Sequence, residues 1–145
     1  MKTFKLPIRF EAIPFVRDGD NYRFLIVKRV PDDGGFWQPI TGTLESNESL
    51  SDCIYRELKE EISIGKEEVL NLSDMFFSFT WNKGEVLISE YVFGAELKNE
   101  HEITLSDEHE DYMWCDFNEA VNMLEKDNNK MAYKIFKESL EKLLL

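Results

Sequence analysis

The hydrophobic and polar positions of the chain divide it into a short series of elements. From Ile8 to Arg17 the run is mostly apolar and reads as a strand, and Asp18, Gly19, Asp20 and Asn21 then supply a turn. Tyr22 to Val30 alternates with the period of two expected of a half-buried strand, so the two segments predict a hairpin. Pro31 to Gly35 is a loop, and Phe36 to Thr41 is short and extended, with Pro39 suited to a sheet edge. Glu48 to Ile62 is the clearest helix. Leu50, Cys53, Ile54, Leu58 and Ile62 recur at spacings of three and four, and Ser46 or Asn47 is placed to cap it. Met75 to Trp81 and Val86 to Leu97 read as strands joined through Lys83 and Gly84, followed by a short strand from Asp111 to Asp116. Two helices close the chain. Phe117 to Glu125 is the first, and Lys130 to Leu144 the second, with Met131, Ile135, Phe136, Leu140 and Leu143 as its apolar face and Asp127, Asn128 and Asn129 as the break between them. Strands, helix, strands, helices is the order of an α/β fold with a mixed sheet and helices on its faces.

Composition supports one folded unit. The chain has 145 residues, 43% of them hydrophobic and 13% aromatic, which is too apolar for a disordered acidic tail. No repeat, low-complexity tract or linker divides it, so residues 1–145 are expected to form a single domain. No stretch of the N-terminus resembles a signal peptide, which predicts a cytoplasmic protein with no membrane partner. Cys53 and Cys115 stand at no metal-ligand spacing and are expected to be reduced core thiols.

Charge changes the picture. With 17 Lys and Arg against 29 Asp and Glu, the net charge is −12, which argues against a nucleic-acid polymer or an anionic membrane as partner. A small phosphorylated molecule is compatible if a metal ion bridges it to the protein. The acids are concentrated in two runs. Residues 42–61 hold six acids and two bases, and residues 100–111 hold six acids and no Lys or Arg. Most such runs are solvated faces. In the first, however, Glu57, Glu60 and Glu61 share one helix at spacings of three and four, where like charges repel by a few tenths of a kcal/mol per pair. A hard divalent cation reverses that sign, and Mg²⁺ prefers carboxylate oxygens shared with water and substrate phosphates.

Gly42 lies six residues before Glu48, which lies eight before Arg56, and Arg56-Glu57-Leu58 then leads through one residue to Glu60 and Glu61. This series resembles the Nudix box, GX5EX7REUXEEXGU, at every position up to Glu61, with Ile64 as the final aliphatic residue. The glycine before it is replaced by Ser63, and Gly65 is the expected substitute for ending the helix. Phe36-Trp37-Gln38 with Thr41-Gly42, and Asp107-Glu108-His109 with Tyr112 and Trp114, are similar to the branch containing dihydroneopterin triphosphate pyrophosphatase and related (d)NTP pyrophosphohydrolases.

The resemblance implies an α/β/α sandwich and a Mg²⁺-dependent hydrolase, with Mn²⁺ able to substitute. The substrate it implies is a (deoxy)nucleoside or dihydroneopterin triphosphate, cleaved to the monophosphate and pyrophosphate. It makes Glu57 and Glu61 metal ligands, Glu60 a ligand directly or through water, and Gly42 a carbonyl ligand. Arg56 would pair with Glu48 to orient helix and loop, while Glu108 would be either a further ligand or the base that activates water. The base is left open among Glu108 and the box glutamates. For the rest of the substrate, Lys28 and Arg29 are candidate phosphate contacts and Gln38 a hydrogen-bonding contact. Trp37, Phe36, Phe77, Phe79 and Trp81 either stack on a ring or belong to the core. His109 is a neighbour of Glu108 with a supporting role or an ordinary polar residue. The competing readings are hydrolysis of another nucleoside diphosphate derivative, such as an oxidised nucleotide or nucleotide sugar, and a Nudix-fold sensor without activity. Retention of Glu57, Glu60 and Glu61 argues against the sensor. Many members are dimers, so a homodimer is one possible state.

Overall fold

Strand β1, Lys5–Asp18, turns back into β2, Asn21–Arg29, and the pair runs antiparallel with Phe15 opposite Phe24. The structure, a computed structural model, describes residues 3–143. Beyond β2 come β3 (Trp37–Gln38), β4 (Ile40–Glu45), helix α1 (Leu50–Ile62), β5 (Val69–Leu72), β6 (Phe77–Lys83), β7 (Val86–Leu97) and β8 (His109–Cys115). Helices α2 (Phe117–Met123) and α3 (Asp127–Leu143) complete the order. β1 is the organising strand. It pairs antiparallel with β2 and β4 and parallel with β7, and β7 in turn carries β5 and β6. The sheet is therefore mixed, with β3 and β8 added antiparallel to β2.

Because successive side chains of a strand point to opposite faces, β1 and β2 build two cores at once. Phe10, Ala12, Leu25 and Val27 pack with Cys53, Ile54, Leu58 and Ile62 of α1. Ile13, Phe15, Phe24 and Ile26 pack with Ala120 of α2 and Ala132, Tyr133, Phe136 and Leu140 of α3. The result is the expected α/β/α layering, with the apolar stripe of α1 buried and its acids turned toward the rim.

The structure moves several expected boundaries. Ser49, not Ser46 or Asn47, caps α1: its hydroxyl accepts from the Asp52 amide at 3.1 Å. Asp127, Asn128 and Asn129 form the first turn of α3 instead of a break, and Asn129 is buried there against β1. The extended run around Pro39 is two strands, because β3 pairs with β2 while β4 crosses to β1. β5 has no counterpart in the hydrophobic pattern, since four residues are too few to show a period. The predicted end of the last helix at Leu144 and the side chain of Leu143 lie outside the described residues.

Candidate active site

Helix α1 presents its acids at one end of the sheet, beside Gly42 on β4. The approach is close. A Cβ on Gly42 would stand 2.6 Å from Glu57 Cγ and 2.6 Å from Phe10 Cε1, so only glycine lets strand and helix meet here. At the other end of α1, Ser63 itself takes the left-handed conformation, φ 58°, while Gly65 has φ −78°. The serine thus performs the glycine's role in place, and the expectation that Gly65 would end the helix is corrected. Its hydroxyl donates to the Thr104 carbonyl at 3.3 Å, which helps hold the strained residue.

Arg56 is the hub that orients these groups. Its Nη2 and Nε donate to the two oxygens of Glu48 at 2.8 and 3.1 Å, a bidentate clamp. Its Nη1 donates to Glu57 Oε1 at 2.7 Å and to Glu60 Oε2 at 3.2 Å. Hydrogen bonding to Arg56 holds the Glu48 carboxyl down at about 2. The cap loop, the helix and two of its acids are therefore tied through a single guanidinium.

Glu57, Glu60 and Glu61 meet Glu108, from the loop before β8, in a cleft of about 610 Å³ that also reaches Gly42, Arg9 and Arg29. The amide of Ser106 donates to the Glu61 carbonyl at 3.0 Å, and the Val30 amide donates to the Glu108 carbonyl at 3.2 Å. These backbone bonds bring the second acidic run against the first. Glu61 is 5% exposed, and its Oε2 has no hydrogen-bond partner. Burial first, then the charges of Glu57 and Glu108, push its carboxyl up to about 9. Burial also raises Glu57, against the pull of Arg56. Buried acids that face one another without a counter-charge keep a proton until positive charge arrives, and a divalent cation fits that need. Among the described residues no three acid, His or Cys side chains already close around an ion. The donor set thus suits a cation that takes the rest of its shell from a carbonyl, water and phosphate, as Mg²⁺ does.

A second cavity, of about 470 Å³, adjoins the cleft and shares Arg9, Arg29 and Thr41 with it. The predicted substrate residues divide between the two. Arg29 borders both and is hydrogen-bonded to Asp33; Gln38 lines the second cavity and donates to His109 Nε2 at 3.2 Å. Lys28 alternates away from Arg29, pairs with Glu110 at 3.1 Å, and lines neither space. Trp37 packs on the second core and bridges to Leu124, away from the cavity. Phe36, Phe79 and Trp81 line the cavity, whereas Phe77 packs on the core. Cys53 and Cys115 are free and buried, and burial pushes both thiols up to about 12.

The hydrophobic pattern missed Arg9, Glu11, Glu90, Lys126 and Asn129, all of which line the second cavity. A usable signal existed. Arg9 and Glu11 flank Phe10 within the otherwise apolar stretch from Ile8 to Val16, and Glu90 sits mid-strand in β7, where an unneeded charge is expensive to bury.

Comparison with known proteins identifies the family and the fold. The sequence profile of the NUDIX domain matches residues 8–138. A dihydroneopterin triphosphate diphosphatase of Haemophilus influenzae is 32% identical over 128 residues, spanning 79% of this chain and 78% of that protein. An octanoyltransferase of Myxococcus xanthus is 32% identical over 123 residues, which span 81% of this chain but only 33% of that protein. The solved structure of the E. coli dihydroneopterin triphosphate pyrophosphohydrolase superposes with a TM-score of 0.77 at 26% identity, over 94% of this chain and 99% of that one.

Proposed function

We propose, from the premise that the chain belongs to the NUDIX domain family and that several of its relatives are named as diphosphatases or pyrophosphohydrolases, that it is a Mg²⁺-dependent pyrophosphohydrolase. Its substrate is a dihydroneopterin or (deoxy)nucleoside triphosphate, and its products are the monophosphate and pyrophosphate. One observation carries this reading: the acidic cleft and the aromatic-walled cavity share the Arg9 and Arg29 wall, giving one continuous site for a polyphosphate and the ring attached to it. The relatives named for dihydroneopterin triphosphate support the choice of ring.

In this reading Glu57, Glu61, the Gly42 carbonyl and Glu60 would hold the metal, with Glu108 completing the set or acting from beside it. The bound ion supplies positive charge that neutralises the polyphosphate and acidifies water. Arg56 keeps Glu57 and Glu60 aimed, and Glu48 keeps Arg56 from swinging. A water attacks one phosphorus of the α,β-anhydride, a carboxylate of the cleft takes its proton, and the bridging P–O bond breaks to release pyrophosphate. Arg9 and Arg29 face the phosphates from the opposite wall.

The test is a panel of dihydroneopterin triphosphate, the four dNTPs, 8-oxo-dGTP and ADP-ribose, incubated with Mg²⁺ and assayed for pyrophosphate and phosphate. Pyrophosphate release from a triphosphate is expected. Glu57→Gln and Glu61→Gln are each expected to lower kcat by a factor of about 100 or more while leaving a cooperative thermal transition. Turnover of ADP-ribose alone, or full activity in either variant, refutes the assignment.

A further inference from the structure

The floor of the second cavity carries two carboxyl groups that metal binding does not explain. Glu11 of β1 is 1% exposed and Glu90 of β7 is 5% exposed, and both line the cavity beneath Phe79 and Trp81. One oxygen of each is engaged. Asn129 Nδ2 donates to Glu11 Oε1 at 2.6 Å, and Trp81 Nε1 donates to Glu90 Oε1 at 2.9 Å. Arg9 makes no hydrogen bond to Glu11: its Nη1 and Nη2 donate to Thr43 and Thr41 at 3.0 and 3.1 Å, and its Nε stands 3.6 Å from Glu90. Glu11 Oε2 meets no N–H or hydroxyl donor of the chain; its acidic neighbour is Glu90, and burial first, then Glu90, hold the Glu11 carboxyl well above its ordinary range, so a donor from outside would relieve the pair. A leucine would fill this position without the desolvation penalty, so the buried acceptor calls for a donor from outside the chain.

We infer that Glu11, held in place by Asn129, determines specificity by accepting N–H donors from a 2-amino-4-oxo ring of the guanine or pterin type. This rests on the reading above that the substrate is a triphosphate carrying a ring. The choice of ring follows from the hydrogen-bonding edges. A 2-amino-4-oxo pyrimidine presents a ring N–H beside an exocyclic amino group, two adjacent donors. Adenine and cytosine present a donor beside an acceptor, and thymine presents one N–H between two carbonyls. Only the first edge matches a floor of carboxyl acceptors, and the aromatic walls suit the flat faces of any of them.

Glu11→Gln is the direct test, because it keeps the side-chain volume and an acceptor for Asn129 while turning the unpartnered acceptor into a donor. The ratio of kcat/KM for dihydroneopterin triphosphate or dGTP to that for dATP should fall by about 10- to 100-fold, mainly through KM. Asn129→Ala, which frees Glu11, should lower the same ratio by a smaller factor, and it serves if Glu11→Gln melts early. A second arm needs no catalysis: binding of neopterin and of adenosine, followed by tryptophan fluorescence, should show neopterin preferred by the wild type and the preference lost in Glu11→Gln. An unchanged ratio, an equal loss for all rings, or no neopterin preference in the wild type overturns the inference. A wild type that prefers neopterin yet hydrolyses no triphosphate overturns the pyrophosphohydrolase reading alone.

Discussion

Replacing Gly42 by alanine tests how closely strand and helix must approach at the acid cleft. The new Cβ would lie 2.6 Å from both Phe10 Cε1 and Glu57 Cγ, whereas ordinary contact begins near 3.4 Å, so about 0.8 Å must be found. Phe10 is fully buried and cannot give way. Glu57 must move instead, although Arg56 holds its carboxylate at 2.7 Å. Overpacking of this kind costs about 1–3 kcal/mol, or roughly 2–10 °C in Tm for a domain of this size. A misplacement approaching 1 Å at a reacting centre lowers rate by up to about 100-fold. The expected result is therefore a modest fall in Tm, a kcat reduced on the order of 30- to 100-fold, and a higher Mg²⁺ requirement. Thermal unfolding and steady-state kinetics across a Mg²⁺ titration measure all three. Wild-type Tm refutes the packing argument; lowered Tm with wild-type kcat refutes the link from Gly42 to the position of Glu57.

Ser63→Gly should raise stability by roughly 0.5–1 kcal/mol in urea unfolding without altering kcat, because the position is already left-handed. Glu48 sets a pH dependence. Its carboxyl sits at about 2 in the fold against an ordinary 4.5, so its contribution is present above pH 4.5 and is lost as pH falls toward 2. That contribution is about 2–3 kcal/mol, and urea unfolding of Glu48→Gln should differ from wild type by this amount at pH 6 and converge with it near pH 2. Mg²⁺ should raise the Tm of the wild-type protein, chelation should remove the increment, and Glu61→Gln should show none, as measured by differential scanning fluorimetry. Arg56→Lys, which loses the two-oxygen clamp on Glu48, should lower kcat about 10-fold or more at unchanged charge.

The acid face of α1 was readable from sequence because helical spacing is local. Glu57, Glu60 and Glu61 lie within five residues, and the stripe from Leu50 to Ile62 decides which way they turn. The hairpin of β1 and β2 and the pair of β6 and β7 were readable for the same reason, since alternation and a tight turn are properties of neighbours. The substitution at Ser63 could be located but not interpreted, because whether a serine accepts a left-handed conformation depends on contacts such as that with Thr104. Lys28 and Arg29 show the limit from the other side. Both are basic and adjacent, and only the register of β2 against β8 sends Lys28 to Glu110 while Arg29 faces the site.

By itself, the sequence determined the order of most elements, the family pattern and the cluster of acids on one helix, all of which depend on residues a few positions apart. Only the tertiary structure decided that the two acidic runs converge, through the Ser106 amide on the Glu61 carbonyl, and that a second cavity opens beside them. It also joined Glu11 to Asn129 across more than a hundred residues, because a parallel neighbour for β1 and a helix on its far face bring distant segments to one point. Side-chain alternation says that Glu11 faces one side of the sheet, but burial, the single partner and the unpartnered oxygen exist only once that side has been covered.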